Sequence, residues 1–342
     1  MRLTTSQLPL SDQASISELK ANLPVESIAL LTVKALPSKG RALVALTDLA
    51  PGTRLLVESP LLTAPRSLSP PALESYIRVA IKDLSKKQQR QYLSLQNNWA
   101  GQYPFGGIIP SNAYPCGSDA DVSAVYPTIC LLNHSCMPNC QHTWNSEKKV
   151  QTVYTIRPIK KGEELTVSYE VSGPAADRIA LLEKSFGFRC ACEICNLPSE
   201  EQIMSDTRQL AIQRLDERLS RLHSRHPLSA LHDCHLLLQI LRAEYAGYPG
   251  VFEARVYWDA FQITVANGDL ARAKVFAERS WKAAVICEGE ETPEVRSVRA
   301  LVDDPAGDKG FEKASKEWNT DVDMVPKRLG EDEFETWLFR RN

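Results

Sequence analysis

The chain has 342 residues, 43% of them hydrophobic and 24% charged, enough for two separate cores with ordinary globular composition. Lys+Arg 40 against Asp+Glu 42 leaves a net charge of −2, which gives no sign of the strongly basic surface of a dedicated nucleic-acid binder. No apolar run approaches the length of a membrane span, and the first thirty residues lack a secretory signal. Nine cysteines, an odd number and unevenly clustered, suit a reducing compartment where thiols bind metal or stay reduced. The expectation is an intracellular protein, cytoplasmic or nuclear or both, with no membrane contact and no direct nucleic-acid contact.

Residues 1–27 are polar and Ser-rich and read as an N-terminal arm, with room for a short helix over Ser15 to Leu23. From residue 28 the pattern turns to short strands. Ala29 to Val33, Ala42 to Leu46 and Leu55 to Glu58 are apolar runs, separated by the turns Pro37-Ser38-Lys39-Gly40-Arg41 and Ala50-Pro51-Gly52-Thr53. Residues 66–102 form a helical insert: Ala72 to Ile81 has helical spacing behind Pro71, and Lys86 to Leu95 is a second candidate. Tyr103 to Tyr126 is rich in Gly, Pro, Ser and Asp and reads as loop. Gln151 to Ile156 and Leu165 to Tyr169 resume as strands, and Ala176 to Lys184 is a short helix.

Beyond residue 200 the chain reads as helical. Ile203, Leu210, Leu215, Leu219 and Leu222 predict one apolar stripe, and three further helical stretches are broken by Tyr248-Pro249-Gly250 and Asn267-Gly268-Asp269. The run Asn267 to Ala273 followed by Ala277 is similar to a tetratricopeptide repeat turn; a plain helical bundle fits as well. The last forty residues are charged and less regular, but Trp318, Phe334, Trp337 and Phe339 predict that parts of them dock.

Two dense clusters carry the chemistry. Leu131 to Cys140 packs Asn133, His134, Cys136 and Cys140 into ten residues, and Phe186 to Cys195 ends in Cys190-x-Cys192-x2-Cys195. Three cysteines at that spacing make an incomplete tetrahedral site, because zinc takes four N or S ligands in structural sites. Cys136 is the expected fourth ligand, with Cys140 and His134 near enough in sequence to compete. No open position is implied, so the single zinc is expected to be structural.

Asn133-His134-Ser135-Cys136-x-Pro138-Asn139, Gly162-Glu163-Glu164-Leu165-Thr166-Val167-Ser168-Tyr169 and the Cys190-Cys192-Cys195 segment, with the turn Lys39-Gly40-Arg41 before them, stand in an order that resembles a SET-domain protein methyltransferase with a post-SET segment. The likeness spans roughly residues 30–196 and is nearest the SET-and-MYND branch, in which a helical C-terminal domain follows. It implies an α+β chain: a SET fold with a pseudoknot over 28–173, the helical insert at about 66–102, a post-SET zinc segment over 174–200, and an all-helical, TPR-like domain over 201–342. A MYND zinc finger would need Cys and His between Leu62 and Asn112, where the sequence has none.

The resemblance implies S-adenosylmethionine as methyl donor and lysine side chains of histone or non-histone proteins as acceptors. Lys39, Arg41, Asn112, Asn133, His134 and Phe188 correspond to its cofactor-binding positions, Phe188 as the aromatic on adenine. Tyr169 corresponds to the catalytic tyrosine. A tyrosine of ordinary pKa near 10 is a poor base at neutral pH, so its expected role is orientation and electrostatics. Phe186 stands where the branch places a second pocket tyrosine, and Tyr126 is a second candidate for the substrate channel. Ala42 replaces a usual glycine and is expected to tighten or shift the turn. The competing reading is a SET-fold scaffold of weak or absent activity that recruits a protein partner through its helical domain.

Overall fold

The computed structural model describes residues 10–341 apart from 38, 118–119, 170 and 223–225. Residues 1–9 of the expected arm and Ser38 of the first turn therefore lie outside the described residues, as does the side chain of Leu222. The chain divides into two compact units, Met1–Tyr169 with Lys184–Phe188, and Glu170–Glu183 with Arg189–Asn342.

The first unit opens with α1 (Leu10–Ala21) and the hairpin β1 (Leu31–Leu36) and β2 (Gly40–Ala45). The hairpin is antiparallel, Leu31 opposite Ala45 and Leu36 opposite Gly40. Gly40 takes φ +73°, the left-handed value a tight reversal needs. Ala42 lies inside β2, opposite Lys34 and fully buried. The alanine therefore sits in extended backbone and neither tightens nor shifts the turn, contrary to expectation.

β3 (Arg54–Glu58), β8 (Cys140–Asn145) and β9 (Val150–Thr155) form an antiparallel sheet in the order β3-β9-β8. β4 (Leu62–Pro65), β5 (Tyr114–Pro115) and β6 (Val122–Val125) form another, with β6 in the middle. The expected loop over 103–126 thus holds β5, β6 and the short helix α4 (Ile108–Asn112). Its strands have too few residues for an alternation signal; β6 pairs with distant β4, and β5 pairs with β6. The alternate residues Leu31, Val33, Leu43 and Ala45 meet Leu55, Ile129, Leu132, Val153, Ile159, Leu165 and Val167 in one core.

The helical insert forms as expected, with α2 (Pro70–Ala80) and α3 (Lys86–Leu93). Pro70 opens α2, and Ser85 caps α3 in a reciprocal box with Gln88. Buried Glu74 accepts the N–H groups of Phe105 at 3.0 Å and Gly106 at 2.6 Å. The expected strand Leu165 to Tyr169 shrinks to β10 (Thr166–Val167), paired in parallel with β7 (Asn133–His134). The two motifs, some thirty residues apart in sequence, thereby lie side by side.

The second unit begins with most of α5 (Ala175–Phe186) and continues through α6 (Ser199–Leu222), α7 (Pro227–Glu244), α8 (Val251–Ala266), α9 (Leu270–Glu288), α10 (Pro293–Asp303) and α11 (Glu331–Leu338). The expected stripe on α6 is only half right. Leu215 and Leu219 are buried, but Ile203 is 66% exposed and Leu210 39%. The buried positions of its N-terminal half are Ser205 and Gln209, because α7 presents the buried carboxylate of Glu244 there. Ser205 Oγ, Arg208 Nε and Gln209 Nε2 donate to it at 2.6, 2.7 and 3.0 Å.

The turn between α8 and α9 uses Gly268 at φ +82° and the side chain of Asp269 as N-cap. Asp269 is fully buried and accepts from Arg272, Thr320 and Arg340 at 2.9, 2.8 and 2.7 Å. The C-terminal residues dock as expected: Phe339 is buried, and Trp318, Phe334 and Trp337 pack on the same core. Among the described residues no helix is long and apolar enough to cross a membrane.

Candidate active site and metal cluster

Tyr169 lies two residues past the end of β10, and the parallel pairing of β10 with β7 sets it beside the Asn133–His134 segment. Its hydroxyl donates to the carbonyl of Leu132 at 3.0 Å. Its backbone N–H donates to Nδ1 of His134 at 3.1 Å. Phe186 lies 4.8 Å from the Tyr169 ring, His134 5.2 Å, and Phe188 stands edge-on at 6.3 Å. Gly187, at φ +74°, reverses the chain between the two phenylalanines, and Asn98 fixes the segment by donating to the Phe186 carbonyl at 2.7 Å. Burial in this aromatic setting pushes the Tyr169 phenol above its ordinary range, with Cys130 and Glu164 adding. The hydroxyl therefore keeps its proton at neutral pH and acts as an aimed donor.

Glu164 organises the other residues. Its Oε1 accepts from Asn133 at 2.9 Å and its Oε2 from Lys39 at 2.6 Å. The Lys39 charge is thus matched within the protein, and the Asn133 amide also reaches the Arg41 carbonyl at 3.3 Å. Arg41 itself donates to the carbonyl of Ser94. Both hydrogens of the Asn112 amide go to backbone carbonyls, Gln96 and Ile108, each at 2.7 Å. Asn112 as placed pins α4 to the insert. Tyr126 has no exposed surface and sits in the main core, 6.3 Å from the Tyr114 ring. A side chain wholly enclosed by core residues lines no open channel, so of the two channel candidates Phe186 alone stands beside Tyr169.

Several residues the motifs did not single out hold this arrangement. Asn139 is 1% exposed; it donates to Glu163 and to the Glu164 carbonyl at 3.1 and 2.8 Å and accepts from Thr166 N–H at 2.8 Å. Glu58 accepts the N–H groups of Thr128 and Ile129 at 3.0 and 2.9 Å, at the start of the turn that ends in Leu132. Asn139 lay inside the quoted motif without a role; nothing local marked Glu58.

Cys136, Cys190, Cys192 and Cys195 offer ligand atoms that all lie within 4.8 Å of one another. Four thiolates about 2.3 Å from one tetrahedral ion would stand about 3.8 Å apart, so the set fits a zinc site built from four cysteines. Cys140 and His134, the competing ligands, are outside it. Cys140 is buried against Asn139, and His134 lies behind Cys136 with Nε2 3.2 Å from its sulfur.

Residues 40–170 match the SET domain family. The chain carries a SET domain. The match runs from the Gly40 turn to the residue after Tyr169, so the paired Asn133–His134 and Thr166–Val167 segments both lie within it. Among its relatives is a Schizosaccharomyces pombe protein named histone-lysine N-methyltransferase set5, 27% identical over 276 residues, which are 80% of this chain and 83% of that protein. The Danio rerio protein named N-lysine methyltransferase SMYD2-A is 26% identical over 174 residues, covering 46% of this chain and 39% of its own length. Human N-lysine methyltransferase SMYD2 is 33% identical over 90 residues, 26% of this chain and 20% of that protein. The set5 match extends well beyond the SET domain; these two SMYD2 matches cover less than half of either chain.

Proposed function

We propose that the protein is an S-adenosylmethionine-dependent protein methyltransferase acting on lysine side chains of histone or non-histone proteins. The observation that carries this reading is the placement of Tyr169 at the end of the SET-domain match: hydroxyl fixed on the Leu132 carbonyl, backbone fixed on His134, and ring flanked by Phe186 and Phe188 from the segment that follows the match. The names of the set5 and SMYD2 relatives support lysine as the acceptor.

S-adenosylmethionine supplies an activated methyl group on a sulfonium. The chain's task is to hold an uncharged lysine amine in line with that methyl, and a narrow aromatic channel gives the alignment. Phe186 and Phe188 exclude water from the tyrosine. Tyr169 stays protonated and orients the reacting groups through its hydroxyl, together with the carbonyl of Leu132; the amine's proton leaves to water. We assign Asn133, His134 and Phe188, the last two with ring centroids 6.2 Å apart, to the adenosyl group, and Lys39, Arg41 and Asn112 to the amino-acid end. The four cysteines hold one structural zinc. Phe186 offers no hydroxyl to a partly methylated amine, so the channel is apolar on that wall.

Calorimetric titration of zinc-loaded protein with S-adenosylhomocysteine tests the cofactor half without knowledge of the substrate. Saturable binding that Asn133→Ala weakens at least about tenfold is expected, the loss of an amide with two partners. A folded wild type that binds neither S-adenosylhomocysteine nor S-adenosylmethionine would overturn the reading in favour of a partner-recruiting scaffold.

A further inference from the structure

His134 is 5% exposed, and both of its ring nitrogens are engaged. Nδ1 lies 3.1 Å from the backbone nitrogen of Tyr169. A peptide N–H can only donate, so Nδ1 is an acceptor and carries no proton. In the neutral ring the proton is then on Nε2, which lies 3.2 Å from Sγ of Cys136. Sulfur at that distance is the acceptor, and a metal-bound thiolate is a stronger acceptor than a thiol because it bears charge. The backbone that carries the ring is fixed as well. Val167 is paired with His134 across the two parallel strands, and Ser135 N–H donates to the Val167 carbonyl at 3.0 Å.

We infer that His134 is a two-ended positioning residue: its Nε2–H holds the Cys136 thiolate for the metal, while its Nδ1 holds the backbone of Tyr169. One imidazole thereby joins the metal cluster to the aromatic site, and occupancy of the metal sets how firmly Tyr169 is placed. Outer-sphere hydrogen bonds to metal ligands orient them and typically contribute 10–100-fold in metal affinity. The inference does not depend on methyl transfer; it rests on the cysteine cluster and on two distances.

The two ends can be cut separately. The side-chain nitrogen of Gln reaches the position of Nε2, and the side-chain oxygen of Asn reaches that of Nδ1. His134→Gln keeps the donor to sulfur and loses the acceptor for Tyr169; His134→Asn does the reverse. Zinc affinity is read by competition with a fluorescent chelator, and the Tyr169 amide by hydrogen–deuterium exchange. In His134→Asn, zinc binding is expected to weaken 10–100-fold with the Tyr169 amide still protected. In His134→Gln, zinc affinity stays within about threefold and the Tyr169 amide exchanges at least about tenfold faster. Both variants losing both properties together, or neither variant changing either, would overturn the assignment. Should the variants not fold, nitrogen NMR of the zinc-loaded wild type decides: the Nε2–H tautomer of His134 supports it and the Nδ1–H tautomer ends it.

Discussion

The two units solve the same problem, buried polarity, in different ways. In the β-rich unit two buried neutral groups, Asn139 and His134, hold backbone and ligands beside the partly buried carboxylate of Glu164, and their partners come from segments some thirty residues apart. In the helical unit the buried groups that tie elements together include three carboxylates. Asp233, Glu244 and Asp269 are all buried, and each is met by an arginine from a neighbouring element. A neutral amide costs little to bury once its hydrogen bonds are made, so it can fix a cavity without filling it with charge. A buried ion pair is costly to assemble and costlier to break. The first arrangement suits a site that must leave room for a charged ligand; the second suits a scaffold that must hold a long irregular tail.

The contrast is sharpest at Asp269. Asp269→Ala strands Arg272 and Arg340, whose side chains are only 11% and 25% exposed. A stability loss of about 3–5 kcal/mol is expected, with the C-terminal forty residues becoming the first site of limited proteolysis. A loss below about 1 kcal/mol in urea unfolding would contradict the anchoring role given to Asp269. Asn139→Ala is the counterpart in the β-rich unit. It leaves Thr166 N–H without its acceptor and the Glu164 carbonyl without its side-chain donor, at about 2–3 kcal/mol. S-adenosylhomocysteine binding should fall with it, because the two paired segments lose their tie; unchanged binding would show that the tie is dispensable.

One buried group in each unit gives a pH slope of opposite sign. Burial lowers His142 in the β-rich unit to about 4, so the unfolded chain takes up its proton first. Its contribution to stability is complete above about 6.5 and is lost as pH falls toward 4. Burial raises Glu288 in the helical unit to about 7, with Glu294 adding. Its contribution is present below about 4.5 and is lost as pH rises toward 7. His142→Asn should flatten the acid limb of the melting temperature, and Glu288→Gln should flatten the opposite limb. Variants whose pH profiles parallel the wild type would contradict the two assignments.

Much of the site was legible because its residues cluster in sequence. Asn133, His134, Cys136 and Tyr169 belong to two short motifs, and Cys190, Cys192 and Cys195 to a third. Spacing alone could indicate a tetrahedral set lacking one ligand. The groups that fix these residues were not legible, since Glu58 and Asn98 act on backbone atoms 70 and 88 residues away. The same limit explains the missed strands, since β6 forms on distant β4 and β5 forms on β6. On α6 the apolar stripe misled for a different reason: Glu244 drew Ser205 and Gln209 inward, and a hydrophobic pattern cannot register a buried hydrogen-bond network.

The most direct test of the account is transfer of a labelled methyl group from S-adenosylmethionine to lysine in histone and whole-cell protein preparations, comparing zinc-loaded wild type with Tyr169→Phe. The account predicts labelled lysine with the wild type and about a hundredfold loss in the variant, the scale for removing one aimed donor, with S-adenosylhomocysteine binding retained within a few fold. Equal transfer by the two proteins would contradict the role given to Tyr169, and no labelled lysine from a wild type that binds S-adenosylmethionine would leave the SET domain a scaffold.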